Sequence, residues 1–210
     1  MNSIKILILA VFSIIGGNAF AQSFKPAAHP EKILADLRKV SQSTSSIQAS
    51  FTEEKFLAVL KEPEKSSGVF FYQQKDKMRW EQKTPAKYVI LINGDKLRIQ
   101  EGGKEKNVGQ AGRMAAQIKE LMIGLVNGDF QQNKGFSLAC MESDDHYQIL
   151  LTPVNRRLKN VYSKISLVFL KSTLRLKELS FFEKGGDKSM MKFQQEKFNQ
   201  PISENLFQNL

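Results

Sequence analysis

Apolar residues recur along this chain with two different periods. Between Pro30 and Val40 they fall three and four residues apart, at Ile33, Leu34, Leu37 and Val40, so they share one stripe of a helix. Pro30 suits a first helical position, and Glu31 sits in the first turn, where the positive end of a helix favours a carboxylate. The serine, threonine and glutamine stretch from Ser41 to Ser46 ends the element. From Ile47 the period becomes two. Ile47, Ala49 and Phe51 alternate with Gln48, Ser50 and Thr52, the pattern of a half-buried strand. The apolar phase then slips to Phe56, Ala58 and Leu60, which predicts a bulge or the end of the strand.

The same logic carries to the end of the chain. Val69 to Tyr72 and Tyr88 to Ile92 are apolar on both faces, so these strands are expected to be covered on both sides. Between them, Met78, Trp80 and Gln82 alternate with Arg79, Glu81 and Lys83, and Pro85 closes the strand. Asn93-Gly94 predicts a tight hairpin with positive φ at both turn positions, and Leu97 and Ile99 lie on the return strand. Further strands are predicted over 136–141, 147–151, 162–170, 174–182 and 190–198, with turn clusters such as Ser143-Asp144-Asp145 and Gly185-Gly186-Asp187 separating most of them. About ten strands joined mainly by hairpins imply one large, curled antiparallel sheet. One amphipathic helix interrupts them between Gln110 and Val126, with Met114, Ile118, Leu121, Met122 and Leu125 on its apolar stripe and Asn127-Gly128 as its stop. Its stripe needs the inner face of the sheet, and with the helix from Pro30 it would cover the opening of the curl.

The first 21 residues stand apart. Lys5, the apolar run from Ile6 to Ile15 and Ala19-Phe20-Ala21 read as a secretory signal cleaved before Gln22, leaving a single domain over 22–210. Later segments fall short of the ~20 apolar residues a spanning helix needs. The formal charge of +10 falls to +9 once Lys5 is removed, a balance suited to an anionic partner; export excludes nucleic acid. The lysines are scattered singly along strands, which also describes an ordinary solvated face. Cys140 is the only cysteine, so stability rests on packing without an internal disulfide.

Little in the chain points to catalysis. Asp144-Asp145-His146 can be drawn as a base with its orienting carboxylate, but it occupies a turn where aspartates serve backbone geometry. Cys140 alternates with Phe136 and Leu138 and reads as a buried thiol. There is no metal-ligand spacing and no phosphate-cradling glycine loop ahead of a helix, so neither metal nor cofactor is expected. Binding has more to work with: fifteen phenylalanines and seven methionines in a polar chain supply apolar, adaptable surface. Pattern alone leaves a filled barrel and a hollow one both open.

One ordered set of residues resembles a known family, the periplasmic lipoprotein carriers of the Lol pathway (LolA, with its outer-membrane relative LolB). The set runs Ile47-Gln48-Ala49-Ser50-Phe51-Thr52, Gly68-Val69-Phe70-Phe71, Met78-Arg79-Trp80-Glu81, Pro85 and Asn93-Gly94-Asp95-Lys96-Leu97. The resemblance implies a mainly β fold, an incomplete antiparallel β-barrel with a helical lid over an apolar cavity. It implies a carrier and no enzyme, working in the periplasm and moving lipoprotein acyl chains from the inner to the outer membrane. Its partners would be an inner-membrane lipoprotein-releasing complex and an outer-membrane acceptor. By the same resemblance Phe51, Phe71, Trp80, Ile90, Met114, Ile118 and Met122 are the candidates to face the lipid. Where the family carries an arginine that hydrogen-bonds the lid shut, followed by proline, spacing places Gln74 and Lys75. Glutamine lacks the charged planar fork. Another lipid, a glycolipid or a pigment therefore stands beside lipoproteins as cargo, and a non-transport envelope protein or a lipid-processing enzyme on the same fold is the rival of a different class.

Overall fold

The computed structural model describes residues 23–74, 76–107 and 135–210. Within them, strands β1 (Lys25–Pro26), β2 (Ser46–Phe56), β3 (Glu64–Gln73), β4 (Lys77–Thr84), β5 (Tyr88–Asn93), β6 (Lys96–Glu101), β7 (Lys104–Lys106), β8 (Phe136–Glu142), β9 (His146–Pro153), β10 (Tyr162–Leu170), β11 (Arg175–Glu183) and β12 (Lys188–Phe198) build one antiparallel sheet. The spatial order is β1-β8-β9-β10-β11-β12-β2-β3-β4-β5-β6-β7. Two meanders, β2 to β7 and β8 to β12, are therefore zipped together by the long pairing of β12 with β2. The outermost strands, β1 and β7, do not pair with each other, so the sheet is open, as the incomplete barrel required. The predicted helix over 110–126, with Met114, Ile118 and Met122, lies outside the described residues, and so does the signal segment.

Helix α1 (Pro30–Gln42) forms where the period of 3.6 placed it. Its stripe of Ile33, Leu34 and Leu37 packs on Cys140, Ile149, Leu151, Ile165, Leu167 and Leu179, the inner face of β8 to β11. A second cluster on the same concave face holds Phe51, Phe70, Tyr72, Met78, Trp80 and Ile92, and Met191 and Phe193 touch both. Two short helical elements, α2 (Arg156–Val161) and a C-terminal 3-10 turn (Glu204–Phe207), carry no periodic apolar stripe and were not predicted. Asn155 opens α2 by accepting the Leu158 N–H with its side chain at 2.8 Å.

Of three local expectations, the one for the hairpin after β5 changes. β2 runs to Phe56 and ends there, where the slipped phase begins, and a register shift sits on its partner, between Gln194 and Lys197 of β12. The apolar phase slips because polar Glu53 and Lys55 follow Phe51 on the inner face while Phe56 stands outside under the Lys188 ammonium. The hairpin after β5 turns through Gly94-Asp95, and of its residues only Gly94 takes positive φ (58°). Asn93 is the last strand residue, and its side-chain amide donates to the Phe207 carbonyl at 3.1 Å. Of the doubly apolar strands, β3 keeps Val69 and Phe71 half-buried on its outer face, while β5 is covered on the outside by the C-terminal segment. Phe207 is 1% exposed there, beside Leu91 and Asn93.

The strand directions define two rims. At the upper rim lie the connections 57–63, 85–87, 102–103, 154–161 and 184–187; at the lower rim lie 43–45, 74–76, 94–95, 143–145 and 171–174.

Candidate functional site

A cavity of about 300 Å³ lies in the concave face, its lining running from the middle of the strands to their upper-rim ends. One wall comes from β4 to β6, whose alternation turns Met78, Trp80, Ile90, Ile92, Leu97 and Ile99 inward; Tyr162, Phe181 and Met191 form the facing wall. Both walls follow from the period of two, because each strand offers every second residue to the inside. Polar groups collect toward the upper rim: Glu53, Gln82, Tyr88, Glu183 and Ser189. Glu53 is held by the Ser66 hydroxyl, which donates to it at 2.9 Å. Burial, and then the neighbouring Glu183 charge, pushes the Tyr162 phenol above its ordinary range; burial and Glu101 do the same to Tyr88. Both phenols stay neutral donors at physiological pH. The site is an apolar slot with a hydrogen-bonding lip.

Trp80 and Ile90, expected to face the cavity, line it. Phe51 lies one layer deeper: it is 1% exposed and its ring centroid stands 4.2 Å from that of Trp80, so it supports the wall. Phe70 and Phe193 complete that aromatic backing around the indole. Phe71 is a correction. It pairs with Arg79 and shares the outer face with it, while Phe70 and Tyr72 take the inside. In a strand apolar on both faces, sequence cannot tell which alternate set points inward; the pairing of Phe70 with Trp80 decides it. Met78, Ile92, Leu97 and Ile99 are in register with Trp80 and Ile90, so the same alternation could have named them. Glu53 and Glu183 carried no such signal.

Gln74 sits at the lower rim. Its side-chain amide donates to the Gln42 carbonyl at 3.1 Å and its backbone N–H to the Ser45 carbonyl at 2.9 Å, fastening the exit of α1. The contact is a neutral hydrogen bond at a helix end, without the charge an arginine would add.

The two candidate reactive groups lie away from the cavity. His146 Nδ1 is 2.6 Å from Asp145 Oδ1 in the lower-rim turn between β8 and β9. Cys140 is buried beneath α1, and burial pushes its thiol up to about 11, with Glu31 adding to the shift. At pH 8 the native protein should therefore resist a thiol-disulfide reagent and react promptly once unfolded in urea. Rapid labelling of the native chain in a stopped-flow trace would contradict this burial.

Similarity to known proteins extends over most of the chain. The profile of the family described as outer membrane lipoprotein carrier protein LolA matches residues 42–209. An outer-membrane lipoprotein carrier protein of Coxiella burnetii (strain CbuK_Q154) is 25% identical over 221 residues, covering 99% of this chain and 94% of its own. A LolA superfamily protein from Nitrosomonas europaea superposes with a TM-score of 0.43 at 15% identity, over 84% of this chain and 96% of that one. The lipoprotein LppX of Mycobacterium tuberculosis gives 0.42 at 12% identity, over 82% and 98%. With the family profile spanning β2 through the C-terminal 3-10 turn, this chain belongs to the outer membrane lipoprotein carrier protein LolA family.

Proposed function

We propose that the protein is an exported carrier that takes the acyl chains of lipoproteins into the concave cavity and moves them across the periplasm. The apolar slot between β4–β6 and β10–β12 supports this reading most directly. Each methylene removed from water contributes roughly 0.8 kcal/mol, so a slot lined by indole, thioether and aliphatic groups holds a chain without any covalent chemistry. The lip supplies what the chain's ester or amide end needs, with Tyr88 and Tyr162 as neutral donors. In this reading an inner-membrane releasing complex loads the carrier, an outer-membrane acceptor unloads it, and Gln74 serves as the latch position through α1. Met114, Ile118 and Met122 would complete the cover.

The neutral bond made by Gln74 favours one second reading, a carrier of the same mechanism for another lipid, glycolipid or pigment. Native mass spectrometry of the mature chain, purified from a periplasmic extract without detergent, separates the two by the mass of what copurifies. An apo mass that persists after incubation with envelope lipids and lipoproteins would sink both. The slot itself is tested by Ile90→Glu, which puts a charge into the apolar wall. Affinity for a fluorescent fatty-acid probe should fall at least ~10-fold with the fold intact by circular dichroism. Unchanged affinity would place the probe elsewhere.

A further inference from the structure

Four large hydrophobic side chains stand exposed among the described residues: Phe56 (38%), Val59 (89%), Leu60 (49%) and Val154 (47%). All four lie at the upper rim. The first three belong to the β2–β3 hairpin and the fourth to the connection between β9 and α2. The hairpin tip is built to show them. The Leu60 N–H closes a tight turn onto the Leu57 carbonyl at 2.9 Å, and the Asp187 carboxylate accepts the Ala58 N–H at 2.9 Å, tying the tip to the β11–β12 turn. Val59 is thus held outward by a hydrogen-bonded backbone, and exposing it to an apolar medium costs no further ordering.

Cations surround these points. Lys188 lies over the rings of both Phe56 and Phe182, and Lys164 over Phe182. Lys61, Lys184, Arg156 and Lys159 are exposed on the same rim, as are the carboxylates of Glu62 and Glu64; Glu53 and Asp187 also lie there, already hydrogen-bonded to Ser66 and Ala58, and Glu183 stands beside Tyr162. The whole chain carries +10. Apolar tips ringed by ammonium groups suit an interface of phosphate headgroups over hydrocarbon. A protein partner would be expected to meet a groove or a broad flat patch. Here the apolar groups are convex and stand at two separate places on one rim, which a deformable planar surface accepts without a matching pocket.

We infer that the upper rim docks on an anionic phospholipid surface, with Val59 and Leu60 inserting between headgroups and the surrounding lysines contacting phosphates. Because the cavity's lining reaches this rim at Tyr88, Tyr162 and Glu183, docking brings that end of the cavity to the bilayer. The docking itself does not depend on the nature of the cargo.

The test is flotation of the full mature chain with protein-free vesicles of phosphatidylethanolamine and phosphatidylglycerol, compared with pure phosphatidylcholine, at low and high salt. Wild type should float with the anionic vesicles and lose most of that binding in salt, since screening removes the charge contribution. The double variant V59D/L60D should partition at least ~10-fold less, with its melting temperature and fatty-acid probe affinity unchanged. K61E/K184E should weaken binding to anionic vesicles alone. Wild type remaining unbound at low salt, or V59D/L60D floating as wild type does, would overturn the inference. Flotation that depends on Val59 and Leu60 in a protein that binds no probe would uphold it while removing the carrier reading.

Discussion

Gly68→Ala is expected to cost about 3 kcal/mol or more, lowering the melting temperature by roughly 6–12 °C for a domain of this size. A Cβ at Gly68 would collide with the Glu81 carbonyl oxygen and lie 2.6 Å from the Phe51 ring. The first contact is with backbone, which cannot rotate aside. It lies where the β3–β4 register shifts, between Ser67 and Gly68. The second contact is with a ring that has nowhere to go, since Phe51 already stacks on Trp80. Relief therefore requires moving the indole that lines the cavity. Urea unfolding of the variant should show the loss of stability, and probe titration should show weaker binding at temperatures where it remains folded. A variant as stable as wild type would mean that β3 and β4 stand further apart than described.

The C-terminal strap should carry a comparable load. Phe207→Ala is expected to destabilise by about 4 kcal/mol, because a fully buried ring leaves a void over the outer face of β5. A chain ending at Ser203 should lose more than the ring alone. Arg79 donates through Nη1 to the Leu206 and Asn209 carbonyls at 3.2 and 2.6 Å, Arg98 to the Gln208 carbonyl at 2.9 Å, and Asn93 to that of Phe207. Truncation strips these donors of their acceptors. Arg79, only 8% exposed, would keep Glu81 as its partner but bear the desolvation of the rest of its guanidinium. Arg79→Met, which removes the charge together with its need for partners, should therefore be milder than truncation. Equilibrium unfolding in urea ranks the three; if Phe207→Ala costs under about 1 kcal/mol, the strap is not seated as described.

How far the chain could be read in advance follows from where its information is local. Helix α1 and the faces of β4 were legible because Ile33, Leu34 and Leu37, or Met78, Trp80 and Gln82, obey one period and are bounded by breakers. The faces of β3 were not, because Val69 to Tyr72 is apolar at every position and the decision rests on a partner strand. The strap was invisible: Phe207 sits in a polar tail without periodicity, and its burial depends on Arg79, Asn93 and Arg98, all more than a hundred residues away. Leu60 was legible only as part of a slipped apolar phase with Phe56 and Ala58, a bulge or the strand's end, and Val59 beside it, in the same turn, gave no signal. In the site, the aromatic and aliphatic lining was within reach of alternation, whereas Glu53 and Glu183 reach the lip through curvature, which no one-dimensional pattern encodes.

The missing pairing between β1 and β7 has a mechanical meaning. A closed barrel is a hoop whose strand number and shear set its radius. A strip of twelve strands is free of that condition, and it can uncurl by small changes of twist shared among its eleven interfaces without breaking a ladder hydrogen bond. The cavity of about 300 Å³ is then a resting capacity, at the small end for a ligand pocket. Bulkier contents would be met by compliance spread along the whole strip, at less work than widening a closed hoop by the same amount.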